Sequence, residues 1–242
     1  MQDIIEFMGV PGAGKSTLSN ELVTQLKERG EIVKHYGDMH ANDKHKVKAV
    51  QYFNPLLFSK FLLTILIYAV PLFLLLLFIL VNRLFDWHVW KRFYVIVKEI
   101  LKRSILVFDT DCNKAVINQG LFQALLSISY LGRKPWQIVT DSFIYSEKLI
   151  KQLGLNVWYI YVQVDSEMAI NRVDSRPNQV GDVNNYEGDR LKAFYDSAIE
   201  YSLDLIKTIQ KYDVEHITLD GNDEIRLSVC KVKNYLDSKF KY

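Results

Sequence analysis

A chain of 242 residues can form one α/β domain with a full core and room for a small insertion. Its 49% hydrophobic and 24% charged residues are an ordinary globular balance, and a formal net charge of +2 excludes the strongly basic footprint of a nucleic-acid binder. Cys112 and Cys230 lack metal-type spacing and read as buried, reduced thiols of a cytosolic protein.

Taken in chain order, residues 4–8 are an apolar run ending in glycine, which suits a buried parallel strand. Asp3 and Glu6 interrupt this start, so no leader peptide is expected. The loop Gly9-Val10-Pro11-Gly12-Ala13-Gly14-Lys15-Ser16 comes next. Leu18, Leu22 and Leu26, with Val23 beside them, then recur at helical spacing until Gly30 stops the helix. Residues 32–36 read as a second strand, with Asp38 just past its end. From 61 to 81 there is no charge at all. Residues 156–165 are the clearest strand, rich in β-branched and aromatic side chains, and 216–219 form a shorter one closed by Asp220-Gly221. Helical patterns fill about 136–152, 166–174, 187–211 and 223–238. Strands alternating with helices predict a three-layer α/β architecture around a parallel sheet of about five strands. His35, His40, His45, His88 and His216 show no ligand spacing and carry no metal expectation.

The glycine-rich loop has a chemistry. Its glycines let several main-chain N–H groups converge on one phosphate, and the following helix adds the positive end of its dipole. Lys15 is then the cation for the β- and γ-phosphates, and Ser16 offers its hydroxyl to Mg²⁺. Gly9, Gly12, Ala13, Gly14 and Thr17 complete the expected phosphate cradle.

The third strand has two competing registers. In one, residues 105–108 are the strand, and Asp109 or Asp111 is the acid that holds Mg²⁺ or takes the acceptor's proton. In the other, residues 115–118 are the strand and Asn118-Gln119-Gly120 is the turn after it. The second register explains Gly120, which would otherwise cost about 1 kcal/mol inside a helix.

Outside residues 40–103 the chain resembles the thymidylate kinase-like branch of the P-loop nucleoside and nucleotide kinases. The resemblance rests on the early phosphate loop and on 153–165 followed by Ala169-Ile170-Asn171-Arg172 and Arg176. It rests also on 217–225, which is similar to the last strand and the base-cupping loop of that group. The resemblance implies a kinase using ATP and Mg²⁺. It makes Arg172 and Arg176 a lid over the transferred phosphoryl group, Asp220 and Gly221 part of the base loop, and Asp38, Asn118 and Gln119 contacts to the acceptor. Asn118-Gln119-Gly120 resembles the Asp-Gln-Gly or Asp-Glu-Gly turn of some members of the group, and Asn118 departs from it by standing where the acid is expected. An Asn cannot act as a base, and the departure favours a second reading: a membrane-attached nucleotide-binding ATPase or switch with little transfer.

The uncharged stretch 61–81 is long enough to cross the roughly 30 Å hydrocarbon core of a bilayer at about 1.5 Å per residue. A single crossing would separate the phosphate loop from the arginines, so an element that enters and returns is expected. Pro71 is placed to kink or break the helix near its middle, giving two arms. Basic residues flank it: Lys44, Lys46, Lys48 and Lys60 before; Arg83, Lys91, Arg92, Lys98, Lys102 and Arg103 after. Trp87, Trp90 and Tyr94 are expected at headgroup level. These features predict a cytoplasmic protein held at a membrane's inner face, with lipid as a partner. The alternative is a pair of buried helices or a homodimer interface.

Overall fold

A computed structural model describes residues 2–36, 55–82, 84–106, 114–129, 135–175 and 188–239. Strand β1 (Gln2–Met8) leads through the glycine loop into helix α1 (Lys15–Glu28) and strand β2 (Val33–Tyr36). Two long helices follow, α2 (Pro55–Asn82) and α3 (Trp87–Leu106), before strand β3 (Lys114–Ile117). Helices α4 (Leu121–Ser129) and α5 (Gln137–Gln152) precede strand β4 (Leu155–Gln163). The chain closes with α6 (Ser166–Asp174), α7 (Gly188–Lys211), β5 (His216–Asp220) and α8 (Ile225–Lys239).

The five strands lie in the order β2-β3-β1-β4-β5, all parallel. Parallel strands need crossovers, and these place helices on both faces, so β1 and β4 are buried throughout their middles and apolar there but for Glu6. One face packs against α2, α3, α4, α5 and the C-terminal half of α7, through residues such as Phe122, Phe143, Ile96 and Leu205. The other packs against α1, α6, α8 and the N-terminal half of α7, through Leu22, Ala169, Val229 and Tyr195. This is the predicted three-layer α/β fold. Leu18, Leu22, Val23 and Leu26 face the core as their spacing implies, and Gly30 ends that stretch with φ of 81°.

Three expectations are corrected. Ile105 and Leu106 belong to helix α3, so the third strand is Lys114–Ile117 and Asn118 follows it. The other register's acids, Asp109 and Asp111, lie outside the described residues, as do Asp38 and Arg176. Second, Cys230 is exposed, because α8 turns Ser228, Val229, Val232 and Leu236 inward and leaves Cys230 on the opposite face.

Third, Pro71 does not break the apolar helix: α2 runs unbroken over 28 residues. A proline inside a helix orphans the carbonyl four residues earlier, here Ile67. The Ser146 hydroxyl of α5 donates to that oxygen at 3.0 Å. The return of the chain comes instead at Leu84–Phe85, between α2 and α3. Helix α2 packs on α5 and α3, and α3 on α4. The inner stripe of α2, Thr64, Tyr68, Pro71, Leu75, Phe78 and Ile79, is buried, and its outer side is exposed.

Candidate functional site

Strand β1 ends at Met8 and its neighbour β3 ends at Ile117, so the loop at 9–16 and Asn118 meet at the C-terminal edge of the sheet. In open parallel sheets that edge is where ligands bind. Gly12 adopts φ of +84°, and a Cβ there would lie 2.3 Å from the Ala169 carbonyl oxygen. Only glycine lets the loop press this closely against α6. The Lys15 ammonium folds back over the loop, donating to the carbonyls of Gly9 at 2.8 Å and Val10 at 2.9 Å. The Gly9 N–H in turn donates to the Gln123 side-chain oxygen at 3.2 Å, tying the loop to α4.

Asn118 donates through Nδ2 to Ser16 Oγ at 2.7 Å. Its Oδ1 is buried and has no hydrogen-bond partner among the described residues. A buried amide oxygen left unsatisfied costs about 1–3 kcal/mol, and it belongs to the same amide whose nitrogen contacts the hydroxyl expected to hold Mg²⁺. The pair offers one hydroxyl and one neutral amide oxygen. That set fits a magnesium ion whose charge is met by a nucleotide's phosphates, with Asn118 accepting from a metal-bound water.

Asp165 caps α6, accepting from the Met168 N–H at 2.7 Å. The helix carries Arg172 toward the last strand, where its guanidinium donates to the Gly221 carbonyl at 2.9 Å. Gly221 lies against the phosphate loop: a Cβ there would sit 3.3 Å from the Ala13 carbonyl oxygen. Arg172, Asp220 and Gly221 are therefore assembled next to the loop at 9–16. Thr17 and Gln119 are exposed at the same edge of the sheet, each one residue past Ser16 and Asn118.

Sequence reasoning misses the charges behind this site. Glu6, Arg103 and Glu147 are fully buried, and Arg103 forms ion pairs with both carboxylates. Arg103 also reaches the hydroxyls of Tyr68 at 3.3 Å and Tyr159 at 3.2 Å, and the Tyr68 hydroxyl donates to Glu147. Burial lifts the Glu6 carboxyl above the ordinary carboxylate range, against the pull of Arg103, while its carboxylate neighbours hold the guanidinium protonated. Glu6 Oε1 accepts from the Phe122 N–H at 2.9 Å, and a Cβ on Gly120 would fall 2.2 Å from the Glu6 carboxyl carbon. So Gly120 makes room for a carboxylate that is pinned from two sides. The sequence signal was a lone acid inside the strand Ile4-Ile5-Glu6-Phe7-Met8. Arg103, counted among the membrane-facing bases, is instead wholly inside.

Among the described residues no cluster of His, Cys, Asp and Glu could hold a metal on its own. A hollow of about 290 Å³ lies at the far end of the sheet, where β5 begins, lined by Gln210, Glu215, His216, Tyr235 and Lys239 among others. Its charges are structural: Glu215 binds Lys151 and Lys239.

No family model matches the chain, and no curated protein matches it. Among solved structures it is similar to a deoxyadenosine kinase from M. mycoides with bound dATP: 15% identity, TM-score 0.48, covering 97% of this chain and 99% of that one. It is similar also to a protein described as APE1195: 12% identity, TM-score 0.44, covering 98% of this chain and 96% of that one. Likenesses this distant carry neither activity nor substrate to this chain, and neither speaks for the thymidylate kinase-like branch.

Proposed function

We propose that the protein is an ATP-dependent phosphotransferase whose loop at 9–16 binds the triphosphate with Mg²⁺. The observation that carries this reading is the contact between Asn118 and Ser16, with Lys15 beside it. It joins the ends of β3 and β1 at the point where a phosphate-bound metal needs oxygen ligands. Lys15 would exchange its two main-chain carbonyls for phosphate oxygens, and Ser16 would hold the metal. Phosphoryl transfer asks chiefly for positioning and for cations around a spreading negative charge. Lys15 supplies one such cation, and Arg172, swung from Gly221, supplies a second. The acceptor enters from the side of β2, α2 and α3, and an acceptor presented at a membrane surface belongs to this reading. The test is transfer from γ-labelled ATP into a lipid and metabolite extract. A labelled product made by wild type and not by the Lys15→Ala variant supports the proposal, and ATP binding without any labelled product counts against it.

Asn118 itself favours a second reading, in which the protein binds nucleotide as an ATPase or switch and transfers little. The Asn118→Asp variant separates the two. Adding a carboxylate beside Ser16 should tighten Mg²⁺ and raise turnover if Asn118 is a weakened metal contact in a switch. In a phosphotransferase whose base lies elsewhere, turnover should stay within about threefold.

A further inference from the structure

The outer surface of the α2–α3 hairpin has two stripes, both pointing away from the sheet. On α2 the exposed positions include Leu63, Leu66, Val70, Phe73, Leu77 and Leu80, spaced as one helical face. On α3 they include Trp87, Lys91, Tyr94, Lys98, Leu101 and Ile105, again one face, mixing aromatic, basic and aliphatic side chains. At the turn between the helices Phe85 is 96% exposed.

We propose that this hairpin docks on the surface of an anionic lipid bilayer, with α2 lying along it rather than crossing it. Three observations select this occupant. First, α2 is the one helix among the described residues long and apolar enough to span a membrane. Its inner stripe, however, is committed: Tyr68 is buried against Glu147 and Arg103, and beside it the Ile67 main-chain carbonyl accepts from Ser146. A crossing helix would carry α5 and the sheet into hydrocarbon, so the helix axis lies along the surface. Second, on α2 itself the exposed stripe meets solvent-accessible polar residues only at the helix ends, at Ser59, Lys60 and Asn82. The positions bordering it, Phe61, Ile65, Ile67, Leu72, Leu74 and Leu76, are apolar too. A seam that a second copy covers in water is ordinarily bordered by charged or polar positions, whereas lipid tolerates an apolar band without a border.

Third, charge sorts with the hairpin. Between positions 55 and 106 the sequence holds seven basic residues against two acids, Asp86 and Glu99, a net +5 that leaves −3 on the rest of the chain. Arg103 is buried among carboxylates. Lys91 and Lys98 stand on the exposed α3 stripe, where aromatic rings and long cationic side chains suit the headgroup layer of anionic lipid. The Lys91 ammonium lies 5.9 Å from the centre of the Trp87 ring.

This inference stands apart from the phosphotransfer reading, since lipid binding is measured without nucleotide. The purified chain is floated with vesicles of phosphatidylcholine alone or mixed with phosphatidylglycerol. The expected result is at least tenfold more protein on the anionic vesicles at low salt, with binding in 1 M salt falling to the level on phosphatidylcholine but not to zero, because salt screens the lysines and not hydrocarbon burial. The Leu66→Glu/Phe73→Glu variant should lose flotation while keeping its helix content by circular dichroism. Lys91→Glu/Lys98→Glu should lose the preference for anionic vesicles. A measurement that needs no altered α2 is quenching of tryptophan fluorescence by brominated acyl chains, which should occur in wild type and fall in Trp87→Phe. Absence of flotation and of quenching overturns the proposal. So does a soluble dimer that Leu66→Glu/Phe73→Glu converts to monomer without wild-type flotation, which assigns the face to a second copy.

Discussion

Lys15 and Arg103 are both cations in the interior, 8% and 0% exposed, yet their surroundings differ in kind. Arg103 meets two carboxylates and two phenols, so its charge is matched by opposite charge from β1 and α5. Lys15 donates to the main-chain carbonyls of Gly9 and Val10, contacts that lie on the glycine loop itself. One cation ties the hairpin to the sheet, and the other lies against the loop that the proposed function assigns to the nucleotide. The two regions share β1: Glu6 lies three residues before Gly9, so the hairpin's anchor and the phosphate loop hang on one strand.

The largest expected effect breaks the first of these. Arg103→Leu leaves Glu6 and Glu147 buried together without their cation, and loss of one partner of such a pair costs about 3–5 kcal/mol. Chemical denaturation should show that loss; a change below about 1 kcal/mol would mean that the network contributes little. Replacing all three charges by apolar residues should recover much of the stability, since burying the ions is itself costly.

A smaller effect sharpens the second region. Arg172 is bonded to the Gly221 carbonyl, so Arg172→Ala should loosen the loop beside the phosphate site and weaken ATP binding about tenfold, ~1.4 kcal/mol. Turnover at saturating ATP should fall as well, by about a hundredfold, since Arg172 supplies a cation to the transferred group; unchanged turnover would contradict that role.

The smallest concerns Glu215, far from both. Burial pushes its carboxyl upward, but the hydrogen bonds from Lys239 and Tyr235, with Lys151 nearby, outweigh that and hold it below its ordinary value. A lowered carboxyl pKa contributes stability above the unfolded value that is lost as pH falls through the folded one. Glu215→Gln should cost less than about 1 kcal/mol at pH 7, since the group is partly solvated, and nothing in strong acid. A cost unchanged in strong acid would contradict the assignment.

How much of this was legible in sequence follows from the range of each interaction. Strand β4 and helices α6 and α7 were found within a residue or two because their signals are local: β-branched and aromatic density in one, amphipathic spacing in the others. The third strand stayed ambiguous because 105–108 and 115–118 are both short apolar runs. What separates them is nonlocal: Ile100, Arg103 and Leu106 are buried on one helical face of α3, and pairing with β1 selects Ala115–Ile117. The continuity of α2 at Pro71 depends on Ser146, 79 residues beyond the carbonyl it serves. The Glu6–Arg103 pair closes a separation of 97 residues. At the site, the loop and Ser16 were legible from the motif alone. The role of Gln123 was not, since nothing in its neighbourhood marks a side chain that supports Gly9.

The central claim is that the loop at 9–16 is a nucleotide site. Its most direct test is calorimetric titration of Mg·ATP into wild type and the Lys15→Ala variant, with circular dichroism of both. The account predicts saturable binding by wild type and at least a hundredfold weaker binding by a variant that remains folded. Equal binding by the two proteins, or none by wild type, would contradict it.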